Sequence, residues 1–267
     1  MATGSEGSLK GLVALVTGAT SGIGLGIAHS LARRGCSIVV NGLGDAKLFA
    51  EIKEDFVKQH GVDTHFSGEN LAKLSEIQKL HGDVIKLYPR GVDILVNNAG
   101  FQHVCPVESF PTEKWDSMIA VMLTAPFHLT QMFLPHMRTK GWGRIINMSS
   151  CHGHVASANK SAYVSAKHGI IGLTKTVAIE TAGSGVTCNA ICPGYVETPL
   201  FIKQAEDRSR DQGITLEQAK AQIVSVHASG QPVKLEHIGE MAAFLCSPAA
   251  DQMTGASLVV DGGWTAQ

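Results

Sequence analysis

The chain has 267 residues, with 22 Lys and Arg against 23 Asp and Glu and a formal net charge of −1. An apolar content of 44% beside 17% charged residues belongs to a globular chain long enough to bury a core, which excludes wholesale disorder. The balanced charge gives no basic field for nucleic acid, and no apolar run approaches the roughly 18 residues of a membrane span.

Apolar runs and amphipathic stretches alternate along the chain. Strand candidates are Leu12–Thr17, Ser37–Asn41, Asp63–Phe66, Val92–Asn98, Gly143–Ser150, Val186–Cys192 and Ser257–Val260. Helical spacing marks Gly22–Arg34, Ala46–His60, Leu71–Tyr88, Glu113–Met137, Asn159–Thr181, Leu216–Ala228 and Glu236–Cys246. Apolar strands that alternate with helices predict an α/β fold, a parallel sheet covered on both faces. No repeat interrupts it, so residues 1–267 read as one domain. The charged stretch from Tyr195 to Gln231, containing KQAEDRSRDQ, adds no strand. It reads either as a helical insertion over the carboxyl edge of the sheet, where ligands bind, or as a solvated surface helix pair.

The opening MATGSEGSLKG has neither a basic n-region nor an apolar h-region, so it does not read as a secretory signal, and a cytoplasmic location is expected. Six scattered cysteines form no CxxC pair, with Cys188 and Cys192 read as core thiols, and twelve histidines show no zinc-ligand spacing. No metal site is expected.

The first strand runs directly into Thr17-Gly18-Ala19-Thr20-Ser21-Gly22-Ile23-Gly24. Glycines there allow a tight turn and close approach of a pyrophosphate, while the helix that follows offers unpaired N–H groups to the anion. At the end of the second strand an acid would hold a ribose 2′-OH and an arginine a 2′-phosphate. This chain has Asn41-Gly42-Leu43-Gly44 with Asp45 slightly late and no cation, which favours NAD over NADP.

Tyr163 and Lys167 lie i, i+4 in NKSAYVSAKHG and share a helix face, a spacing that taken alone reads first as a surface helical pair and otherwise as a proton-transfer pair. A nearby ammonium favours the phenolate and brings a tyrosine toward use as a base. Ser150 ends the preceding strand. Lys160 falls just past Asn159, the expected helix cap, in a first turn whose dipole disfavours a cation. It reads either as a ligand for an anion or as a solvated lysine whose long stem escapes the dipole.

Together TGATSGIG, NNAG at Asn97–Gly100, Ser150, Tyr163-x-x-x-Lys167, Pro193-Gly194 with Thr198, and VDGG at Val260–Gly263 resemble the short-chain dehydrogenase/reductase family. The resemblance implies a Rossmann-like, doubly wound sheet of seven parallel strands with a small helical substrate lid at about residues 195–231. It makes Tyr163 the general acid/base, has Ser150 orient the substrate oxygen, and has Lys167 lower the tyrosine pKa and bind the nicotinamide ribose. The cofactor would also meet Gly18, Thr20, Ser21, Gly22, Ile23, Gly24, Leu43, Asn70, Leu71, Asn98, Ala99, Gly100, Pro193, Gly194, Val196 and Thr198. NGLGDA, FPTEKWD, CHGHVASANKSAY, AICPGYVETPL and DGGWTA are similar to the branch of that family that oxidises (R)-3-hydroxybutyrate to acetoacetate. There Gln102, His152, Lys160 and Gln204 would hold the carboxylate, and Tyr195 and Trp264 would line the pocket. The family implies a homo-oligomer, tetrameric or dimeric through long helices and the last strand.

One position departs from the family, whose members carry Asn where this chain has Met122. The family residue's carbonyl holds a water that relays protons to the lysine, and its side chain keeps the helix open. Pro126 has no N–H for the Met122 carbonyl, so the opening is expected to survive. Activity on another polar alcohol or a 3-oxoacyl substrate, or weakly catalytic NAD(H) binding because of Met122, remain the alternatives.

Overall fold

The computed structural model describes residues 7–266. The absence of a secretory signal was an expectation about the N-terminus, of which Met1–Glu6 lie outside the described residues.

Seven strands form one parallel sheet: β1 (Val13–Thr17), β2 (Ser37–Asn41), β3 (Thr64–Ser67), β4 (Ile94–Asn97), β5 (Gly143–Met148), β6 (Val186–Pro193) and β7 (Ser257–Val260), in the order β3-β2-β1-β4-β5-β6-β7. The central strands are apolar on consecutive residues because both faces are covered. Ala14 and Val16 of β1 point into one core with Ile38 and Val40, whereas Val13 and Leu15 point into the other with Val39. The first core is closed by α1 (Gly22–Ala32), α2 (Ala46–His60) and α9 (Leu235–Leu245) through Ile27, Leu31, Phe56 and Ile238. The second is closed by α3 (Leu74–Leu87), α5 (Ala125–Lys140) and α6 (Ser161–Glu180) through Leu80, Phe133 and Val177. This is the expected doubly wound arrangement. Strand order reverses about β1 and β4, opening a crevice at their carboxyl ends.

Several boundaries differ from the sequence expectation for local reasons. The third helix begins at Leu74 rather than Leu71, because Asn70 Oδ1 accepts the Ala72 N–H at 2.9 Å and turns the chain. The sixth begins at Ser161: Asn159 adopts φ +64° and leaves Lys160, not Asn159, at the cap position. The stretch expected as one helix over Glu113–Met137 consists of α4 (Thr112–Ile119), a π turn (Ala120–Thr124) and α5. This Thr112–Lys140 run is long and apolar enough to cross a bilayer by length and composition alone, contrary to the sequence reading. Its buried residues Leu129, Phe133 and Met137 pack into the second core.

The Tyr195–Gln231 segment holds two helices, α7 (Pro199–Gln212) and α8 (Leu216–Ile223), so the second ends five residues before the expected Ala228. Thr198 caps α7 by accepting from Phe201 N–H at 3.2 Å, and Thr215 and Gln218 form a reciprocal capping box on α8. The pair packs through its own small core of Phe201, Ala205, Ala219, Ile223 and Val224. Phe201 and Gln204 of this pair line the main cavity.

Candidate active site

A cavity of about 340 Å³ lies over the carboxyl ends of β1, β4, β5 and β6. Its floor at one end is the glycine turn. Gly18 adopts φ +61°, and a Cβ there would stand 2.8 Å from Ala99 Cα, so the close approach of this turn to the end of β4 requires glycine. Thr17 Oγ1 accepts the N–H groups of Asn98 and Ala99 at 2.9 and 3.0 Å. Asn98 Nδ2 in return donates to the carbonyls of Thr17 and Gly18 at 2.9 and 3.1 Å. Ser21 begins α1 without a side-chain cap and its first turn holds no acid, so the helix presents bare N–H groups beside Gly18, Ser21, Gly22 and Ile23 at the cavity wall. These residues fit a dinucleotide's pyrophosphate.

The adenosine side is more open. Buried Asn41 spends its amide on the carbonyls of Ser67 and Glu69, both at 3.1 Å. Asp45 Oδ1 caps α2 by accepting from Leu48 N–H at 2.8 Å, so both side chains are tied into the fold while each keeps an oxygen able to accept. Thr20 Oγ1 donates to the Leu43 carbonyl at 3.3 Å. Thr20, Gly24, Leu43, Asn70, Leu71, Ala99 and Pro193 stand outside the cavity lining, whereas Gly100, Gly194, Val196 and Thr198 are part of it. Leu71 turns its side chain into the second core, which confines any cofactor contact to its main chain. Asn70 Oδ1, already bonded to Ala72, keeps one lone pair for a base.

Ser150, Tyr163 and Lys167 all line the cavity. Lys167 Nζ donates to the Met148 carbonyl at 2.7 Å and stands 5.5 Å from the Tyr163 ring centroid. Burial brings this lysine down to about 8. Tyr163 moves the other way, up to about 12, because desolvation outweighs the hydrogen bond from Ser150 that holds it back. The expected depression of the tyrosine by Lys167 is therefore absent from the protein alone. Burial had no place in an argument from spacing.

Gln102, His152, Lys160, Tyr195, Gln204 and Trp264 all line the same cavity. Lys160 is half-buried at the start of α6, where burial lowers its pKa, and no carboxylate among the described residues lies within ion-pair reach. His152 is buried, with Nε2 2.8 Å from Ser157 Oγ. It is pushed down to about 4, chiefly by desolvation and then by Lys160 and His168, and is neutral in the physiological range. Its ring meets Trp264 edge-on at 5.1 Å, and Trp264 in turn stacks on Tyr195 at 5.5 Å with 6° between planes.

Two features escaped the sequence reading. Cys151 also lines the cavity, next to Ser150. His227 is buried behind Tyr195 and Trp264, and these two partners lie too far away in sequence to leave a local signal. Near the site the π turn marks an opened helix, in which Ala125 N–H reaches the Ala120 carbonyl. Met122 is buried beneath Gly100, a cavity residue. Among the described residues no group of three or more His, Cys, Asp or Glu is placed to hold a metal.

A doubly wound sheet with a pyrophosphate turn at its switch point and a Ser–Tyr–Lys group beside it defines a dinucleotide-dependent oxidoreductase. The chain belongs to the short chain dehydrogenase family, whose model matches residues 12–209, and that family binds a nicotinamide cofactor. It is 52% identical over 261 residues to a D-beta-hydroxybutyrate dehydrogenase of Cupriavidus necator, covering 97% of this chain and 100% of the relative. A D-beta-hydroxybutyrate dehydrogenase of Rhizobium meliloti is 48% identical, with 95% and 98% covered. Among solved structures, the L-sorbose reductase of Gluconobacter frateurii complexed with NADPH and L-sorbose matches with a TM-score of 0.93 at 27% identity, covering 98% of this chain and 100% of that one. An actinorhodin polyketide ketoreductase with NADPH matches at 0.87 and 34% identity, with 99% of each chain covered.

Proposed function

We propose that this chain is an NAD-dependent dehydrogenase that oxidises (R)-3-hydroxybutyrate reversibly to acetoacetate, with residues 1–267 as one catalytic domain and 195–231 as its lid. The observation that carries the reading is Lys160: a half-buried cation without an acidic partner among the described residues, in the same cavity as Ser150 and Tyr163. A short acid with a hydroxyl near its carboxylate supplies the missing anion. The two hydroxybutyrate dehydrogenases, similar over nearly their whole length, support the same substrate.

Gly18, Ser21, Gly22, Ile23, Asn98, Gly100, Gly194, Val196 and Thr198 would hold the cofactor along the cavity, with Thr20, Gly24, Leu43, Asn70, Leu71, Ala99 and Pro193 around it. NAD is favoured over NADP because no Lys or Arg occurs among residues 18–24 or 41–45 to meet a 2′-phosphate. Bound NAD supplies the hydride acceptor. Lys160, with Gln102, His152 and Gln204, holds the carboxylate, and Tyr195 and Trp264 enclose the carbon chain. Ser150 donates to the substrate oxygen while Tyr163 Oη removes the hydroxyl proton. Lys167, fixed by the Met148 carbonyl, binds the cofactor ribose and supplies positive charge beside the developing phenolate.

The same reading makes the enzyme cytoplasmic and a homo-oligomer, most economically a tetramer. Exposed Phe127 on α5, Ile179 on α6 and Val259 on β7 lie on the elements through which the family associates. The test is the initial rate of NADH formation from (R)-3-hydroxybutyrate, with the enantiomer and NADP as controls. Turnover confined to the R acid and NAD supports the proposal. NADH binding without turnover of any 3-hydroxy acid would overturn it.

A further inference from the structure

His227 has no part in the chemistry above, yet it is 2% exposed and joins both ends of the lid. Its ring nitrogens face main-chain groups of fixed polarity. Tyr195 N–H donates to Nε2 at 3.0 Å, and Nδ1 lies 2.8 Å from the Gln231 carbonyl. A main-chain N–H only donates and a carbonyl only accepts, so Nε2 is bare and Nδ1 carries the proton. The partners thus select one neutral tautomer.

The neighbouring backbone is shaped around this ring. A Cβ on Gly194 would lie 2.5 Å from His227 Nε2, and Gly262 passes the other side at φ +61°. The Tyr195 carbonyl accepts from Val233 N–H at 2.8 Å, and Glu197 N–H donates to the Val233 carbonyl at 2.8 Å. The chain that leaves the sheet into α7 is therefore clasped to the chain that returns before α9. The imidazole lies 5.8 Å from the Tyr195 ring and 6.0 Å from Trp264, behind the pair that lines the cavity.

We propose that His227 is a positioning residue for substrate binding: its Nε2 fixes the Tyr195 main chain and so holds the Tyr195–Trp264 stack that closes the acid-binding end of the cavity. The role in substrate affinity rests on the function proposed above, whereas the role in ordering Trp264 does not. Loss of the acceptor leaves a part-buried N–H unpaired and loosens the wall, while the cofactor turn on the other side is untouched.

The experiment compares His227→Phe, His227→Asn and His227→Gln in the full chain. Gln places an amide oxygen where Nε2 sits; Asn reaches only the position of Nδ1. Phe and Asn are expected to raise KM for (R)-3-hydroxybutyrate about ten-fold while kcat and KM for NAD stay within about two-fold. Gln is expected to return KM to within about three-fold of the parent. Each variant is also made with Trp115→Phe and Trp142→Phe, which leaves Trp264 as the sole tryptophan. Acrylamide quenching of Trp264 should rise in Phe and Asn and recover in Gln. A Gln variant no better than Asn, or a loss shared equally with NAD, would overturn the assignment, and the Asn–Gln comparison decides should Phe fail to fold. If the parent does not turn over the acid, the proposed substrate falls by itself, and unchanged Trp264 quenching across the variants would then overturn the role of His227.

Discussion

Replacing Lys160 with Met separates binding from folding, because the two should move in opposite directions. An ammonium and a carboxylate 4 Å apart attract by about 4 kcal/mol at an effective dielectric of 20. Stripping water from the carboxylate offsets part of that, leaving the roughly 1.5–3 kcal/mol of a charged hydrogen bond. KM for (R)-3-hydroxybutyrate should therefore rise about ten- to hundred-fold, with KM for NAD unchanged. The neutral 3-hydroxybutanamide should lose much less, so the variant's preference for acid over amide collapses. Lys160 also sits at the positive end of α6 with no acid beside it. Removing the cation relieves about 0.3–1 kcal/mol, which should raise Tm by about 1–3 °C. Steady-state kinetics on both substrates and a melting curve read these effects. An unchanged acid-to-amide preference would refute the anion role, whatever happened to Tm.

His152 makes stability depend on acidity. Its folded pKa of about 4 lies below the ordinary 6.5, so the unfolded chain takes up the proton first. Stability is full above pH 6.5 and falls as pH drops toward 4, by about 3 kcal/mol from this residue. Denaturant unfolding of His152→Gln should show a shallower acid loss, and an identical slope would refute the assignment. Tyr163, held up to about 12, must lose its proton for alcohol oxidation. Oxidation rates should climb from pH 6 to 9 while acetoacetate reduction does not; a falling oxidation limb would count against Tyr163 as the base. Pro126→Ala restores an N–H opposite the Met122 carbonyl and should close the π turn, lowering kcat about ten-fold or more. A fully active Pro126→Ala enzyme would end the idea that the proline keeps the helix open, and Met122→Asn should raise kcat if the methionine carries a penalty.

The sheet was legible because its strands are buried on both faces, so that LVALVT, VDILVNN and VTCNAIC stand out as apolar runs. Of the residues that line the cavity together, Ser150, His152, Lys160, Tyr163 and Lys167 fall in two short stretches, whereas Gln102, Tyr195, Gln204 and Trp264 are scattered and were legible only through the family resemblance. What failed depended on distance or environment. Helix α7 buries only Phe201 and Ala205, too few for its spacing to show. His227 meets Tyr195 across 32 residues and left no trace in either neighbourhood. The i, i+4 spacing placed Lys167 on the face of Tyr163 but not its ammonium against the oxygen, and burial then reversed the expected pKa direction.

Met122 shows how a backbone feature can outlast the side chain associated with it. In a regular helix the carbonyl of residue 122 would accept the N–H of residue 126, and Pro126 has none. Ala125 N–H instead reaches back five residues to Ala120, which accommodates the turn without any side-chain amide. The methionine does different work. Its Sδ and Cγ lie 3.1 and 3.2 Å from where a Cβ on Gly100 would stand, filling the space under a residue of the cavity wall. It shares a small core with Met118, Ala162 and Ala166, against which Tyr163 packs. The opened turn thus stands without an amide at position 122, whose methionine is packed in the small core beneath Tyr163.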